Sequence, residues 1–424
     1  MNKRTIRQKC NIIMLIAVAI PSLFFLIGVG FSALLPKSFW YPLIKIGCTC
    51  FLLVFFYFSN YFTISYFCSR KSPLQVINEF RLRNRLDRAF LEMGAYHETF
   101  FGNIVTPKVA IIEDYLYIDF LGYPTIQDKL AKFQDQLSSA LPKGWMVESI
   151  SMKPSQDLLK VQISDFTKKQ QSIIHSFNDV CIQTRNLSPT AVYIDSSHIV
   201  DFKENPGLLI TGSTGSGKTY GSRYLITQGI AHRWHVVILD IKRTYQAYED
   251  YCDCYYSSTD IMNKLKEICD EIDARSYMLG DYLRENPNVC AADIGLPVIY
   301  IVIEEYIALM QSVTPKEQKE IERLVTRIAV TGRQLSVIPC IIMQVSMADQ
   351  LSSSIRSNLN AKLVYGTASE TIYKTAFGLT DVPKIAYDFA RGQGLGMIEN
   401  HRFFFQTPKL DFKVAEIGEI IKKA

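Results

Sequence analysis

Eight residues, Gly212-Ser213-Thr214-Gly215-Ser216-Gly217-Lys218-Thr219, satisfy G-x-x-x-x-G-K-[ST] in full. The spacing suits the gripping of a polyphosphate. Glycines let backbone N–H groups turn inward around phosphate oxygens. A helix opening near Gly217 adds its positive dipole end. Lys218 then reaches the β- and γ-phosphates, and the Thr219 hydroxyl ligates Mg²⁺. The expected ligands are ATP and magnesium.

A pair of carboxylates extends this reading from binding to hydrolysis. The run LPVIYIVIEEYIALM, residues 296–310, reads as an apolar strand ending in Glu304 and Glu305. In P-loop ATPases an acid at a strand's end holds the Mg²⁺ shell, and a following glutamate polarises the attacking water. Successive strand residues face opposite ways, so Glu304 is assigned to the metal and Glu305 to the water. The first position is usually aspartate. The glutamate here is longer and less rigid. Gln344 closes SVIPCIIMQ, residues 336–344, and reads either as a sensor of the γ-phosphate or as a strand-end amide bonded to a loop.

These groups need a scaffold. GLLIT before the loop, HVVILD (235–240, ending in Asp240), the acidic strand, SVIPCIIMQ and AKLVYG (361–366) are apolar runs separated by helical patterns. Strands alternating with helices predict an α/β fold, a mostly parallel sheet covered on both faces. LGMIE and RFFFQ flank Asn400-His401 as a closing hairpin. Upstream, QVINEFRLRNRLDRAFLEM and IQDKLAKFQDQLSSAL have helical spacing. VAIIEDYLYIDFLG, WMVESISMKP and LLKVQISDF are strand-like. Together they predict a small α+β module with no telling group of Asp, Glu or His.

Residues 12–35 and 46–68 carry no charge. Each run is long enough to cross a hydrocarbon core of about 30 Å, and two transmembrane helices are expected. Lys3, Arg4, Arg7 and Lys9 precede the first, and Arg70 and Lys71 follow the second. The connection has Lys37 nearby, so the positive-inside bias places both termini in the cytoplasm of a multi-pass cell-membrane protein, in contact with membrane lipid. The domain plan is an anchor over 1–72, a juxtamembrane helix and α+β module over 73–189, and the motor over 190–424. The net charge of +5 on 424 residues permits an anionic partner without arguing for one. Ten scattered cysteines, with Cys252 and Cys254 as a lone C-x-C, offer no second pair at zinc spacing.

From LLITGSTGSGKT through VILDIKR, IVIEEYIALM, the run from Gln344 to Lys362 (with I-R-S-N where I-K-A-N is usual) and R-G-Q-G, the chain resembles the RecA-like motor of FtsK/SpoIIIE DNA translocases. The resemblance covers residues from about 190 to 405. It implies a ring, hexameric in the family, that pumps double-stranded DNA with ATP held between subunits. Arg327 and Arg333 match arginines suited to completing a neighbour's site, and Arg356 matches a lysine suited to DNA phosphate. The chain ends soon after the hairpin, so the family's C-terminal orientation-reading module is not expected here. The expected Arg and Pro after Gln344 are also absent. This shorter plan is more similar to TcpA-type coupling ATPases of Gram-positive conjugative elements, which implies relaxosome and transfer-channel proteins as partners. Chromosome partition, protein secretion and a silent nucleotide scaffold are the alternatives.

Overall fold

The computed structural model describes residues 73–98, 104–112, 115–119, 137, 140–141, 145–153, 158–165, 171–344, 350–378, 388–399 and 401–422. The apolar runs 12–35 and 46–68 lie outside these, as does most of the IQDKLAKFQDQLSSAL segment. Among the described residues no helix is long and apolar enough to cross a membrane. The chain divides into two compact units, Met1–Ile163 and Ser164–Ala424.

In the first unit, α1 (Pro73–Glu92) is followed by β1 (His97–Glu98), β2 (Ile104–Val105), β3 (Lys108–Ile112), β4 (Tyr115–Asp119), β5 (Trp145–Lys153) and β6 (Leu158–Asp165). Helical spacing puts Leu82, Leu86 and Phe90 of α1 on one face. They are buried in a core that also holds Ile118, Val147, Val161 and Ile163. The run VAIIEDYLYIDFLG forms two strands, β3 and β4, paired antiparallel. The sheet order is β3-β4-β6-β5.

The second unit begins with β7 (Ile173–Ile174), α2 (Phe177–Thr184), β8 (Ala191–Tyr193), β9 (Ile199–Asp201), β10 (Leu208–Gly212), α3 (Lys218–Ala231), β11 (His235–Asp240), β12 (Asp253–Tyr255) and α4 (Ser258–Glu285). It continues with β13 (Ile299–Glu304), α5 (Tyr306–Gln311), α6 (Pro315–Thr331), β14 (Val337–Met343), α7 (Ser353–Asn358) and β15 (Ala361–Tyr365). The last elements are α8 (Glu370–Phe377), β16 (Gln393–Ile398), β17 (His401–Gln406), β18 (Lys409–Leu410) and α9 (Glu416–Ile421).

Eight of these strands form one sheet in the order β12-β11-β13-β14-β10-β15-β16-β17. The first six are mutually parallel. β16 and β17 close the edge as the expected antiparallel hairpin. Every residue of β10, β13, β14 and β15 is buried, as parallel strands covered on both faces require. The period-two alternation then sorts side chains into two layers. Val236, Ile238, Tyr300 and Val302 pack with Tyr224, Leu225 and Ile230 of α3. Val237, Leu239, Ile301 and Ile303 pack with Ile268 and Ile272 of α4 and with Leu324 and Ile328 of α6. Helix α6 is started by a capping box between Thr314 and Glu317, with Pro315 at its first position.

The division after Ile163 differs from the boundary expected at 189. Phe177 and Val180 of α2, with Val192, Ile194, Val200 and Phe202, share the α3-side core of the large sheet. The α2 segment therefore packs with the motor's sheet, although the sequence pattern grouped it with the module before it.

Candidate nucleotide site

The loop between β10 and α3 is held by backbone geometry that only glycine adopts without strain. Gly212, Gly215 and Gly217 have φ of +149°, +82° and +109°. A Cβ on Gly212 would lie 2.3 Å from the Tyr365 carbonyl oxygen, and one on Gly217 would lie 2.5 Å from the Gly392 nitrogen. The Gly392 N–H donates to the Ser216 carbonyl at 2.7 Å, and the Arg391 guanidinium stacks 4.8 Å from the centre of the Tyr220 ring. The R-G-Q-G turn that leads into β16 thus backs the loop from behind. Helix α3 opens at Lys218 with Gly217 as its cap and no side-chain cap bond, which leaves its positive end toward the loop.

Lys218 is only 9% exposed. Its ammonium donates to the carbonyls of Gly212 at 2.7 Å and Ser213 at 3.0 Å. Burial pushes its pKa below the usual lysine value, against the opposing pull of Glu305 and Glu304. The hydroxyls of Thr211 and Ser216 are buried with no hydrogen-bond partner among the described residues. Unpaired donors and a desolvated cation around a glycine loop fit a polyphosphate, which would supply acceptors and negative charge together.

The acids come from the matching ends of two neighbouring parallel strands. Asp240 on β11 and Glu304 on β13 are register partners. Asp240 is fully buried, and its carboxylate accepts from the backbone N–H groups of Lys242 and Tyr245, both at 3.0 Å. The turn so closed drives the Tyr245 ring into the core. Its hydroxyl donates to Glu304 Oε2 at 3.1 Å and touches Ser222 Oγ of α3. Burial pushes the Glu304 carboxyl up to about 7; the Tyr245 bond opposes this, and the nearby Asp240 and Glu305 charges add to it. Such crowding of acid groups fits a cation. Among the described residues no group of three or more His, Cys, Asp or Glu is arranged to hold a metal. Magnesium, which keeps several waters and takes phosphate oxygens with one or two protein ligands, does not need such a group. Thr219 and Glu304 are the residues that would hold it.

Glu305 does not continue the strand, which corrects the argument from alternation. β13 stops at Glu304, and Glu305 sits in the left-handed region at φ +54° as the cap of α5. A non-glycine residue there is strained by about 1–3 kcal/mol. It is held by an ion pair to Lys242 at 3.1 Å and by the Gln344 N–H, which donates to its Oε1 at 3.3 Å. The Gln344 carbonyl in turn accepts from the Gly212 N–H at 3.3 Å. The backbone of one residue, Gln344, therefore joins the phosphate loop to the second acid.

The candidate arginines lie elsewhere. β14 runs parallel to β10, so Arg333, just before its start, sits at the sheet end opposite the loop. Arg333 donates to the Lys203 carbonyl at 3.0 Å and pairs with Glu204 at 3.5 Å. Arg327 pairs with Asp273 of α4. Both line a separate cavity of about 600 Å³. Arg356, on the short helix α7, is half-buried, with Nη1 lacking a partner among the described residues. The structure brings none of the three to the loop of the same chain.

The sequence pattern gives Asp240 and Lys242 no task and does not single out Tyr245, Ser222 or the loop-backing role of Gly392. The available signal was an acid at a strand's C-terminal end, followed within five residues by a lysine and a tyrosine.

Residues 182–361 match the family described as Helicase HerA, central domain. The FtsK domain-containing protein YdcQ of Bacillus subtilis (strain 168) is 28% identical over 203 residues, covering 46% of this chain and 41% of that protein. DNA translocase FtsK of Campylobacter jejuni subsp. jejuni is 23% identical over 262 residues, covering 56% of this chain and 26% of FtsK. The match spans less than half the length of either relative. The solved structure of the pCW3 conjugation coupling protein TcpA, in monomer form with ATPγS, superposes with a TM-score of 0.51 at 18% identity. That superposition covers 80% of this chain and 99% of the solved chain, and it supports the mixed α/β fold with a mostly parallel sheet.

Proposed function

We propose that this FtsK/SpoIIIE-like chain, which resembles TcpA, is a membrane-anchored, ATP-driven DNA translocase serving as the coupling motor of a conjugative element. The observation that carries the reading is the convergence of the Lys218 loop and the Glu304–Glu305 pair at one end of a parallel sheet, joined through Gln344. Ligands of open parallel sheets bind outside the carboxyl ends of the strands.

The reaction is phosphoryl transfer from ATP to water. Lys218, released from its contacts with the loop carbonyls, neutralises β- and γ-phosphate charge. Thr219 and Glu304 would hold magnesium, which would supply charge neutralisation at the phosphates. Glu305, fixed in its left-handed turn, orients the attacking water. Arg327 and Arg333 lie far from their own loop, so a catalytic role for either requires a neighbouring subunit, as in a hexameric ring. Arg356 is assigned to DNA phosphate. The apolar runs 12–35 and 46–68 supply the anchor, and the similarity to a conjugation coupling protein supports the conjugative role over chromosome partition.

The test is ATP turnover by the purified full chain with no nucleic acid, with duplex DNA and with single-stranded DNA. Stimulation by duplex DNA, absent in Lys218→Ala, is expected. Turnover indifferent to either form of DNA would point to another cargo, such as a polypeptide, and would sink the DNA reading.

A further inference from the structure

Glu304 stands where an aspartate is usual, and the longer acid has one more rotatable bond to fix. The structure supplies a restraint for it. Tyr245 is fully buried, and its hydroxyl donates to Glu304 Oε2 at 3.1 Å. The same hydroxyl meets Ser222 Oγ on α3. Ser222 Oγ in turn lies 3.2 Å from the carbonyl of Thr219, the residue assigned to magnesium. With the tyrosine proton on the carboxylate side, the serine proton is free to point to the tyrosine oxygen or to the Thr219 carbonyl. A short chain of hydroxyls therefore ties the acid at the end of β13 to the first turn of the phosphate-loop helix. Its anchorage is also built in, because Asp240 accepts the Tyr245 N–H at 3.0 Å and so fixes the turn that presents the ring.

We propose that Tyr245 is a positioning residue for the metal shell, using Ser222 to hold the Glu304 carboxylate in register with Thr219 so that a glutamate serves in place of an aspartate. Tyr245 is fully buried and has no face open to solvent. It acts through Glu304, and the inference rests on the Mg²⁺–ATP reading of the site. A restraint of this kind changes how tightly the cation is held in the presence of nucleotide. It has little effect on nucleotide binding without the cation, which depends on the glycine loop and Lys218.

The experiment titrates Mg²⁺ into the purified full chain with a fluorescent, slowly hydrolysed ATPγS analogue. Four proteins are compared: wild type, Tyr245→Phe, Glu304→Asp and the double variant. Phenylalanine keeps the buried ring and removes only the hydroxyl, and melting temperature verifies the fold. Tyr245→Phe is expected to raise the Mg²⁺ concentration for half-maximal binding about tenfold, as loss of one bond to a charged group implies. Analogue binding in chelator is expected to stay within about twofold of wild type. When Glu304→Asp is already present, Tyr245→Phe is expected to change the Mg²⁺ midpoint by less than about threefold, a non-additivity that purely structural damage does not produce. An unchanged Mg²⁺ midpoint in Tyr245→Phe, or equal shifts with and without Glu304→Asp, overturns the positioning role alone. Wild-type binding that ignores Mg²⁺ altogether overturns the underlying reading of the site as well.

Discussion

The two ends of the large sheet carry similar charged groups under opposite conditions. At the carboxyl end, Lys218, Asp240, Glu304 and Glu305 are all nearly out of water, and charge there is expensive. Lysine is pushed toward its neutral form by burial, and Glu304 is pushed up to about 7. At the amino end, Arg327 and Arg333 pair with Asp273 and Glu204 in half-exposed geometry, where ion pairs contribute only about 0–1 kcal/mol. The first arrangement stores electrostatic tension that a charged ligand relieves. The second is adjustable and leaves arginines able to exchange their partners at little cost.

The largest effect expected from breaking this contrast is at Lys218. Lys218→Ala removes the buried cation of the loop and should lower ATP turnover by roughly 10²–10³-fold or more, read by phosphate release from the full chain. Glu305→Gln should keep nucleotide binding and lose nearly as much turnover; a variant that still hydrolyses at the wild-type rate would remove Glu305 from the chemistry. Gly217→Ala places a side chain at φ +109° against Gly392 and should destabilise the motor by roughly 1–3 kcal/mol from the backbone alone, measured by denaturant midpoint.

The Glu304 carboxyl supplies a test in pH. Its folded pKa, about 7, lies above the ordinary 4.5, so the folded state binds the proton more tightly. Its contribution is therefore fully present below about pH 4.5 and is lost as pH rises through about 7. In nucleotide-free protein with chelator, Glu304→Gln should melt increasingly above wild type between about pH 5 and 8. A gap that stays constant over that range would show that the carboxyl is not held protonated. The smallest effect is expected at the amino end, where Arg333→Ala should change stability by about 0.5 kcal/mol or less while lowering turnover only in the assembled protein.

The local part of this site was legible because each piece is contiguous. The glycine loop, the apolar run into Glu304 and the closing hairpin all announce themselves within a dozen residues. The Asp240–Tyr245–Glu304–Ser222 cluster was not, because it depends on β11 lying beside β13 and on a turn that sends Tyr245 inward. Neither fact is written at any one place in the chain. Glu305 misled in a different way. Alternation predicts opposite faces only while the strand lasts, and the strand stops one residue earlier. The boundary expected at 189 left Phe177–Thr184 with the preceding module, because the contacts that seat α2 on the large sheet come from residues distant in the chain.

The contact between Gly217 and Gly392 has a consequence for how such a sequence can change over time. Two stretches far apart in the chain present bare backbone to each other, and the peptide hydrogen bond between Gly392 and Ser216 leaves no room for a methyl group on Gly217. Neither stretch can drift alone. An inserted or lost residue in the turn before β16 would be felt at the phosphate loop as directly as a change in the loop itself, so the two segments are constrained as one part.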